Sequence, residues 1–329
     1  MKVRSIYRAA LVENAIAPYN SILLKVFYPA TLELTPEALN FGIVPVNKTN
    51  APFPVVIFFS GVNVDAGSYH DLAVEMAEKG LVFITFDWVT NTLPGNHTGL
   101  TPGVDLKNMT PENIAKFPTG LAVQSILNEL ENINKDSLLQ GLLDLDNIIF
   151  GGHSAGGSIA LLNANPDFFP PVIGAFAYGA HTQGATMLGF APETFIPLSP
   201  KTPFLITGGT DDGVISSSIA RYGKTNSDCV EPILKTFEQN LADSTRERFL
   251  AIFNGANHFL AVSPLDETSG RSYLDKQASP NVESNRQALF NLIYGFIEAI
   301  CLKKSSSENF MKLANDLVEK GNIAKFLSN

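Results

Sequence analysis

The chain is poor in cysteine, in basic residues and in long hydrophobic runs. Its 329 residues include two cysteines, Cys229 and Cys301, which excludes a disulfide framework and a zinc site built from four cysteine ligands. The 23 lysine and arginine residues are outnumbered by 32 acidic residues, which gives a formal net charge of −9. Because contacts to nucleic-acid phosphates need clustered Lys and Arg, this balance argues against a nucleic-acid partner.

No apolar run is long enough to predict a transmembrane span, and residues 1–8 carry charges without a following hydrophobic segment of the signal-peptide type. The sequence alone therefore predicts a cytoplasmic protein. Three Asn-x-Thr triplets, at Asn47, Asn96 and Asn108, are interpreted as chance occurrences, since N-glycosylation requires a secretory route.

The composition is that of a folded globular protein. Apolar residues make up 45% of the chain and include 23 Phe, which is enough to build a substantial core. The length fits one large α/β domain, which we predict over residues 1–303. The remaining residues, 304–329, open with serines after Lys304 and then carry Phe310, Leu313, Leu317 and Ile323 at helical spacing. This spacing predicts an appended C-terminal helix that packs on the domain.

Short apolar and β-branched runs alternate with helix-length segments along most of the chain. Two of these runs, 55–59 and 82–86, are apolar at almost every position, as expected for strands covered on both faces. The other predicted strands are 21–28, 147–150, 172–178, 204–207 and 249–253, and the predicted helices are 69–79, 113–134, 156–163, 230–241 and 284–301. The alternation predicts an α/β fold with a mainly parallel central sheet and helices on both faces.

Three stretches interrupt the alternation, namely 89–111, 182–200 and 262–280. Each follows a predicted strand or the segment around His258, so we expect all three at the same rim of the sheet. Long loops in a compact domain are often functional, although the sequence leaves open whether 89–111 and 182–200 form a lid. Phe190 in the second loop either overhangs a binding site or packs a small satellite core.

The motif G-x-S-x-G occurs at Gly152-His153-Ser154-Ala155-Gly156, between a predicted strand and a predicted helix. A nucleophilic serine needs this context, because the sharp turn exposes its hydroxyl above the sheet and the helix N-terminus directs free N–H groups at the site. The alternative is a Gly-rich turn with a solvent-facing serine. The strand before the motif and the helix after it favour a catalytic Ser154.

A serine nucleophile also needs a base and an orienting carboxylate, which follow it in the order Ser, Asp/Glu, His on this type of fold. Two histidines lie downstream of the motif. His258 follows the strand at 249–253 and is the candidate base, whereas His181 suits a pocket wall or a purely structural role. The candidate acids are the adjacent carboxylates of Asp211 and Asp212, which follow the strand at 204–207.

An oxyanion hole needs two backbone N–H donors. Ala155 follows the nucleophile and provides the first, and Val62, in the loop after the strand at 55–59, is the candidate second donor. Gly61 allows that loop to turn tightly, although a simple strand-to-helix connection is the alternative. The side chains considered for the substrate pocket are those of Asn63, His153, His181, Phe190 and Phe195.

With these motifs in this order, the sequence resembles the α/β-hydrolase superfamily. Within that superfamily it is most similar to the group that includes chlorophyllases, dienelactone hydrolases, platelet-activating-factor acetylhydrolase-like enzymes and cutinase-type polyesterases. The resemblance implies that Ser154 attacks an ester carbonyl, that His258 takes its proton and that Asp212, just before a turn into the next helix, orients the imidazole. The matching blocks are PVVIFFSG (54–61), EKGLVFITFD (78–87), GHSAGG (152–157), GGTDDGVI (208–215) and GANHF (255–259).

The expected activity is that of a serine carboxylic-ester hydrolase that acts through an acyl-enzyme and uses neither a metal nor an organic cofactor. The expected substrate is a small-molecule or lipid-like apolar ester, a class that includes the pigment esters cleaved by chlorophyllases. The alternatives on the same three residues are a lactonase or dienelactone hydrolase, a thioesterase or a peptidase. A non-catalytic binding protein of the same fold is the alternative from a different class.

Overall fold

A computed structural model describes residues 2–13, 15–225, 228–241 and 244–329 of the chain. The strands are β1 (Val3–Leu11), β2 (Ser21–Pro29), β3 (Phe53–Phe59), β4 (Val82–Leu93), β5 (His97–Leu100), β6 (Leu143–His153), β7 (Val172–Tyr178), β8 (Phe204–Gly209), β9 (Arg248–Phe253) and β10 (Ile323–Ser328). The α-helices are α1 (Pro36–Phe41), α2 (His70–Glu78), α3 (Leu121–Lys135), α4 (Ala155–Asn163), α5 (Gly213–Ser218), α6 (Glu231–Gln239), α7 (Val282–Phe296) and α8 (Ser307–Glu319).

The strands form one mixed sheet in the order β1-β2-β4-β3-β6-β7-β8-β9-β10, with β5 paired to β4 beside this path. From β4 to β9 the neighbouring strands are parallel, while β1, β2, β5 and β10 pair antiparallel. The sequence-based expectation of a mainly parallel α/β sheet is therefore confirmed. Because the carboxyl ends of parallel strands meet at one edge, the loops after β3, β6, β8 and β9 come together there.

Both faces of the sheet are covered by helices, and β3 shows how the chain achieves this. Its seven residues are all buried. Val56 and Phe58 point into the cluster that includes residues of α2, α7 and α8, whereas Val55 and Ile57 point into the opposite cluster with α3, α4 and α6. Successive side chains of a strand point to opposite faces, so a strand between two layers of helices is apolar at every position.

The C-terminal segment 304–329 departs from the prediction of a single helix. Helix α8 is present, and its Phe310 packs edge-on against Phe249 of β9, with the ring centroids 4.7 Å apart. Gly321 then adopts a positive φ of 80°, and Ile323 begins β10 opposite Phe253. The assignment of Ile323 to the helix was wrong because the apolar positions of a short edge strand fit helical spacing as well.

Further differences from the sequence-based prediction lie near the edges of the sheet and at one helix start. In the predicted loop 89–111, β4 continues to Leu93 and β5 pairs back onto it. The helix predicted from residue 113 begins at Leu121, because the Thr119 and Gly120 N–H groups donate to the side-chain oxygen of Asn163, at 2.8 and 3.0 Å, instead of joining a helix.

In the described ranges of the chain, no helix has the length and apolar character needed to cross a membrane.

Candidate active site

Ser154 stands at the sharp turn between β6 and α4, with φ 57° and ψ −130°. A non-glycine residue in this region of positive φ is strained. The flanking glycines make the turn possible. A Cβ atom on Gly152 would lie 2.5 Å from the Gly156 carbonyl oxygen, and one on Gly156 would lie 2.2 Å from the Phe59 carbonyl oxygen. The strand–turn–helix context expected for the motif is thus present, and α4 starts at the residue after the serine.

The two backbone donors considered for an oxyanion hole lie next to Ser154. Val62 lines the same cleft as Ser154, and Ala155 is the first residue of α4. Neither of their N–H groups donates a hydrogen bond to another group in the described part of the chain. The preceding N–H group, that of Gly61, is already used, because it donates to the Tyr69 hydroxyl at 2.9 Å. Two free N–H groups therefore remain beside the serine, as an oxyanion hole requires.

Asp212 and His258 form a buried pair. The Nδ1 atom of His258 lies 2.6 Å from Oδ2 of Asp212, and their side chains are 3% and 0% exposed. The other carboxylate oxygen of Asp212 accepts from the Ile215 N–H at 2.7 Å and caps α5. A carboxylate at Nδ1 places the Nδ1 proton on that side, so that Nε2 of His258 is left as the basic nitrogen.

Asp211, the alternative acid, points elsewhere. Its carboxylate is exposed and lies 3.0 Å from the Lys276 ammonium group. Its partner is a lysine 65 residues further along the chain. The geometry separates two neighbouring carboxylates that the sequence pattern alone left in competition.

Ser154 and His258 line one narrow cleft, together with Gly61, Val62, Val64, His153, Val214, Phe259 and Arg271. The Ser154 hydroxyl makes no hydrogen bond to His258 in the described structure. Catalytic hydrogen bonds are often long or misaligned without substrate and tighten when substrate binds. A rotation about the Cα–Cβ bond of the serine is the movement that changes the direction of the hydroxyl.

His153, considered for the substrate pocket, is fully buried and belongs to a hydrogen-bonded chain. Its Nδ1 lies 2.9 Å from the Tyr69 hydroxyl, and its Nε2 lies 2.9 Å from the His258 carbonyl oxygen. The carbonyl can only accept, so Nε2 carries the proton and Nδ1 accepts from Tyr69. Burial, and then the charge of His258, lower the pKa of His153 well below its usual value. This neutral ring links the Gly61 loop to the His258 loop.

The remaining pocket candidates lie outside the residues that line the cleft. Asn63 is exposed, and its side-chain oxygen accepts from the Leu100 N–H at 2.9 Å. His181 packs edge-on against Tyr222, and burial lowers its pKa to about 4. Phe190 is buried, which agrees with the satellite-core alternative, and Phe195 is half-buried. Their placement as cleft residues is not supported, because the loop 182–200 folds back on itself through a bridge between residues 183 and 195.

Three residues that the sequence analysis did not single out contribute to the site. Tyr69 joins Gly61 to His153, Arg271 lines the cleft, and the Asp275 carboxylate accepts from the N–H groups of Gly213 and Phe259. Arg271 and Asp275 lie in the polar stretch 262–280, whose position near the rim was the one available signal. Nothing in their spacing marks the individual residues.

The described residues contain no group of three or more His, Cys, Asp or Glu side chains placed to hold a metal ion. Within the same residues, the arrangement brings to one cleft a serine at positive φ, a buried histidine backed by a carboxylate, and the N–H groups of Val62 and Ala155, which donate no hydrogen bond. Comparison with models of known protein families and with curated proteins finds no match to this chain.

Proposed function

We propose that the protein is a serine-dependent carboxylic-ester hydrolase with an α/β-hydrolase fold. The observation that carries the proposal is the convergence of three loop ends. Ser154, at a positive φ after β6, and His258, after β9, line one cleft, and Asp212, after β8, is buried 2.6 Å from His258. The order of these residues along the chain and their positions at the carboxyl edge of the sheet support this assignment.

In the proposed reaction the ester carbonyl enters the cleft and its oxygen faces the N–H groups of Val62 and Ala155. Nε2 of His258 takes the Ser154 proton as the serine oxygen attacks the carbonyl carbon. The two N–H groups stabilise the oxyanion of the tetrahedral intermediate, and Asp212 stabilises the imidazolium. His258 then donates its proton to the leaving alcohol. A water molecule, activated by the same histidine, hydrolyses the acyl-enzyme.

The lining of the cleft favours a small acyl group. Val62, Val64, Val214 and Phe259 contribute apolar surface, and the cleft volume of about 10 Å³ lies far below the range usual for pockets that enclose drug-sized ligands. A cleft this narrow favours an acyl group with few atoms next to the carbonyl, and a bulky alcohol remains outside it. Short-chain esters are therefore better candidates than esters with a large acyl group.

Labelling with a fluorophosphonate probe tests the proposal directly, because such probes modify activated serine nucleophiles. We expect labelling at Ser154 and hydrolysis of p-nitrophenyl esters that declines as the acyl chain lengthens. Ser154→Ala should remove labelling and lower kcat by about 10⁶-fold. Absence of labelling in the folded wild-type protein, or more than a few per cent activity in pure Ser154→Ala, would contradict the assignment.

A second candidate is an ester or lactone that carries its own carboxylate, and Arg271 favours it. Its guanidinium lines the cleft, donates to the Ser218 hydroxyl at 2.8 Å and forms no ion pair with a carboxylate among the described residues. Burial, and then the charge of Arg221, lower the pKa of Arg271. A half-buried cation without an anionic partner is stabilised when a carboxylate binds beside it.

Two esters of equal length distinguish the candidates, one neutral and one a monoester of a dicarboxylic acid. If the second candidate is right, Arg271→Gln should raise KM for the anionic ester by roughly 10-fold or more and leave the neutral ester almost unchanged. Arg221→Gln, a change of the same type at the neighbouring arginine, serves as the control. Equal effects on both esters would leave the neutral short-chain ester as the preferred substrate.

A further inference from the structure

A short segment outside the three loops described above touches both the acid loop and the base loop. We call residues 274–276 the strap; it begins at the last residue of a short 3₁₀ turn, Ser272–Leu274. Its central residue, Asp275, uses both carboxylate oxygens. Oδ1 accepts from the Gly213 N–H at 2.9 Å, and Oδ2 accepts from the Phe259 N–H at 3.2 Å.

The positions of these two N–H groups are informative. Gly213 directly follows Asp212, and Phe259 directly follows His258. A single carboxylate therefore binds the backbone one residue beyond the candidate acid and one residue beyond the candidate base. Hydrogen bonds from N–H groups to an ionised carboxylate are roughly twice as strong as neutral ones, so this bridge restricts the separation of the two loops.

The next residue of the strap adds a second pair of contacts to the same two loops. The Lys276 carbonyl accepts from the Asn257 side chain at 2.8 Å, and the Lys276 ammonium group lies 3.0 Å from the Asp211 carboxylate. Asp211 precedes Asp212, and Asn257 precedes His258. The strap thus holds each loop on both sides of its functional residue.

Gly213 has the space for this approach because it lacks a side chain. A Cβ atom there would lie 2.6 Å from the Leu274 carbonyl oxygen and 2.7 Å from the Lys276 nitrogen. The stems of the two loops are joined without the strap, since the Asp211 N–H donates to the Ala256 carbonyl at 2.9 Å. Beyond that stem, the strap adds a further link between the tips of the two loops, beside the bond between Asp212 and His258.

We infer that Asp275 is a positioning residue that fixes the distance between Asp212 and His258 by bridging the backbone of their two loops; the inference rests on the proposed function of that pair. Asp275 is not a catalytic residue, because both of its oxygens are occupied by N–H groups of the fold. The bond between Asp212 and His258 at 2.6 Å is sensitive to small displacements of either loop.

The test compares Asp275→Asn and Asp275→Ala with Asp266→Asn. Asp266 is an exposed carboxylate in the same stretch that accepts hydrogen bonds from Thr268, so its replacement removes the same charge without opening the bridge. We expect both Asp275 variants to lower kcat by roughly 10- to 100-fold with little change in KM. The Asp266 variant should retain wild-type kcat, and the fluorophosphonate rate should follow kcat in every variant.

The pH profile separates positioning from a merely structural role. His258 faces Asp212 and His153, with Asp275 close by and Arg271 in the same cleft. Removing the negative charge of Asp275 destabilises the imidazolium, so the acid limb of kcat/KM should move to lower pH in Asp275→Asn but not in Asp266→Asn. A loss of thermal stability with an unmoved profile and unchanged kcat would overturn the inference.

A measurement without substrate keeps this test independent of the proposed ester hydrolysis. The proton between His258 Nδ1 and Asp212 should give a strongly downfield ¹H NMR resonance that disappears in Asp212→Asn. We expect Asp275→Asn to shift or broaden this resonance and Asp266→Asn to leave it in place. If the resonance responds while the wild-type protein hydrolyses no ester, the positioning role stands and the proposed function fails. If the wild type is active and neither kcat nor the resonance changes, the positioning role fails.

Discussion

Ser154 and His258 face the same cleft, but the structure holds them by contrasting means. Ser154 is positioned by its backbone, which adopts φ 57° between glycines that allow a close approach of chain segments. His258 lies in a loop and is positioned by side chains that form hydrogen bonds with the backbone of residues 257–259. The Asn257 carbonyl accepts from Tyr178 at 2.6 Å, the His258 carbonyl accepts from His153, and the Phe259 N–H donates to Asp275.

This contrast has a physical reason. The nucleophile sits where a strand runs directly into a helix, so the two regular elements fix the few torsions between them. The base sits in a loop with no regular structure of its own, and such a loop keeps one conformation only when its polar groups are paired. Substitutions of polar side chains should therefore damage the acid–base side more than the nucleophile side, apart from loss of the nucleophile itself.

The largest effect on the acid–base side is expected for Asp212→Asn. An amide at this position presents an N–H group or a weaker acceptor to His258 and no longer stabilises the imidazolium. We expect kcat to fall by about 10⁴-fold, as is usual when an orienting carboxylate is neutralised. Asp211→Asn is the matched control. Its kcat should change little, because the exposed ion pair with Lys276 contributes little and the Asp211 N–H keeps its bond to the Ala256 carbonyl. A larger loss for Asp211→Asn would reverse the assignment of the acid.

The second prediction concerns acid sensitivity. Burial lowers the pKa of His181 to about 4, while an unfolded histidine titrates near ~6.5. Above pH 6.5 neither state binds this proton; below it the unfolded state binds the proton and the native state does not, so stability falls as pH drops toward 4. The contribution of His181 to this loss is about 3 kcal/mol.

Urea unfolding between pH 7 and pH 4 checks this prediction. The free energy of unfolding should fall less steeply for His181→Gln than for the wild-type protein. His97→Gln replaces an exposed histidine and should follow the wild-type curve. Identical slopes for all three proteins would show that His181 is protonated to the same extent in the native and unfolded states.

The same contrast explains how far the sequence could predict this molecule. The buried centre of the sheet was predictable, because strands such as β3 are apolar throughout, and the motif around Ser154 predicted a strand, a turn and a helix. The edge strands were not. In β1, for example, Arg4, Ser5 and Arg8 interrupt the apolar positions, because one face of an edge strand meets solvent.

The residues that hold the acid–base side could not be predicted. Asp275 contacts the backbone N–H of Gly213, 62 residues earlier in the chain. Because every residue except proline has such an N–H group, residue types do not show which one a carboxylate will bind. The spacing around Tyr69 predicts a helix start, but it does not show that the hydroxyl contacts Gly61 and His153. The conformation of a short segment can be predicted from its own residues, whereas hydrogen bonds between loops depend on the whole fold.

Tyr69→Phe tests the link between the two sides. The change leaves the Gly61 N–H and the His153 Nδ1 without partners in a buried place, which should lower stability by about 1–3 kcal/mol. Because Gly61 precedes the Val62 donor and His153 binds the base loop, we expect kcat to fall roughly 10-fold. Tyr7→Phe, at a residue that is 61% exposed, is the control. Unchanged kcat together with reduced stability would limit Tyr69 to a structural role.

The smallest effect is expected on the nucleophile side, from a comparison of Ser154→Gly with Ser154→Ala. Both variants lack the hydroxyl, so both are inactive and differ only in the backbone. At most positions glycine is less stable than alanine by about 0.4–1 kcal/mol, because the unfolded chain gains freedom. At φ 57° alanine keeps the strain of a side chain, a cost of about 1–3 kcal/mol, and glycine releases it. The net expectation is that Ser154→Gly is the more stable variant by about 1 kcal/mol, measured by urea unfolding at pH 7. The reversed sign is the informative result: if glycine proves less stable than alanine, the turn is not strained, and Ser154 is held by its contacts in the same way as His258.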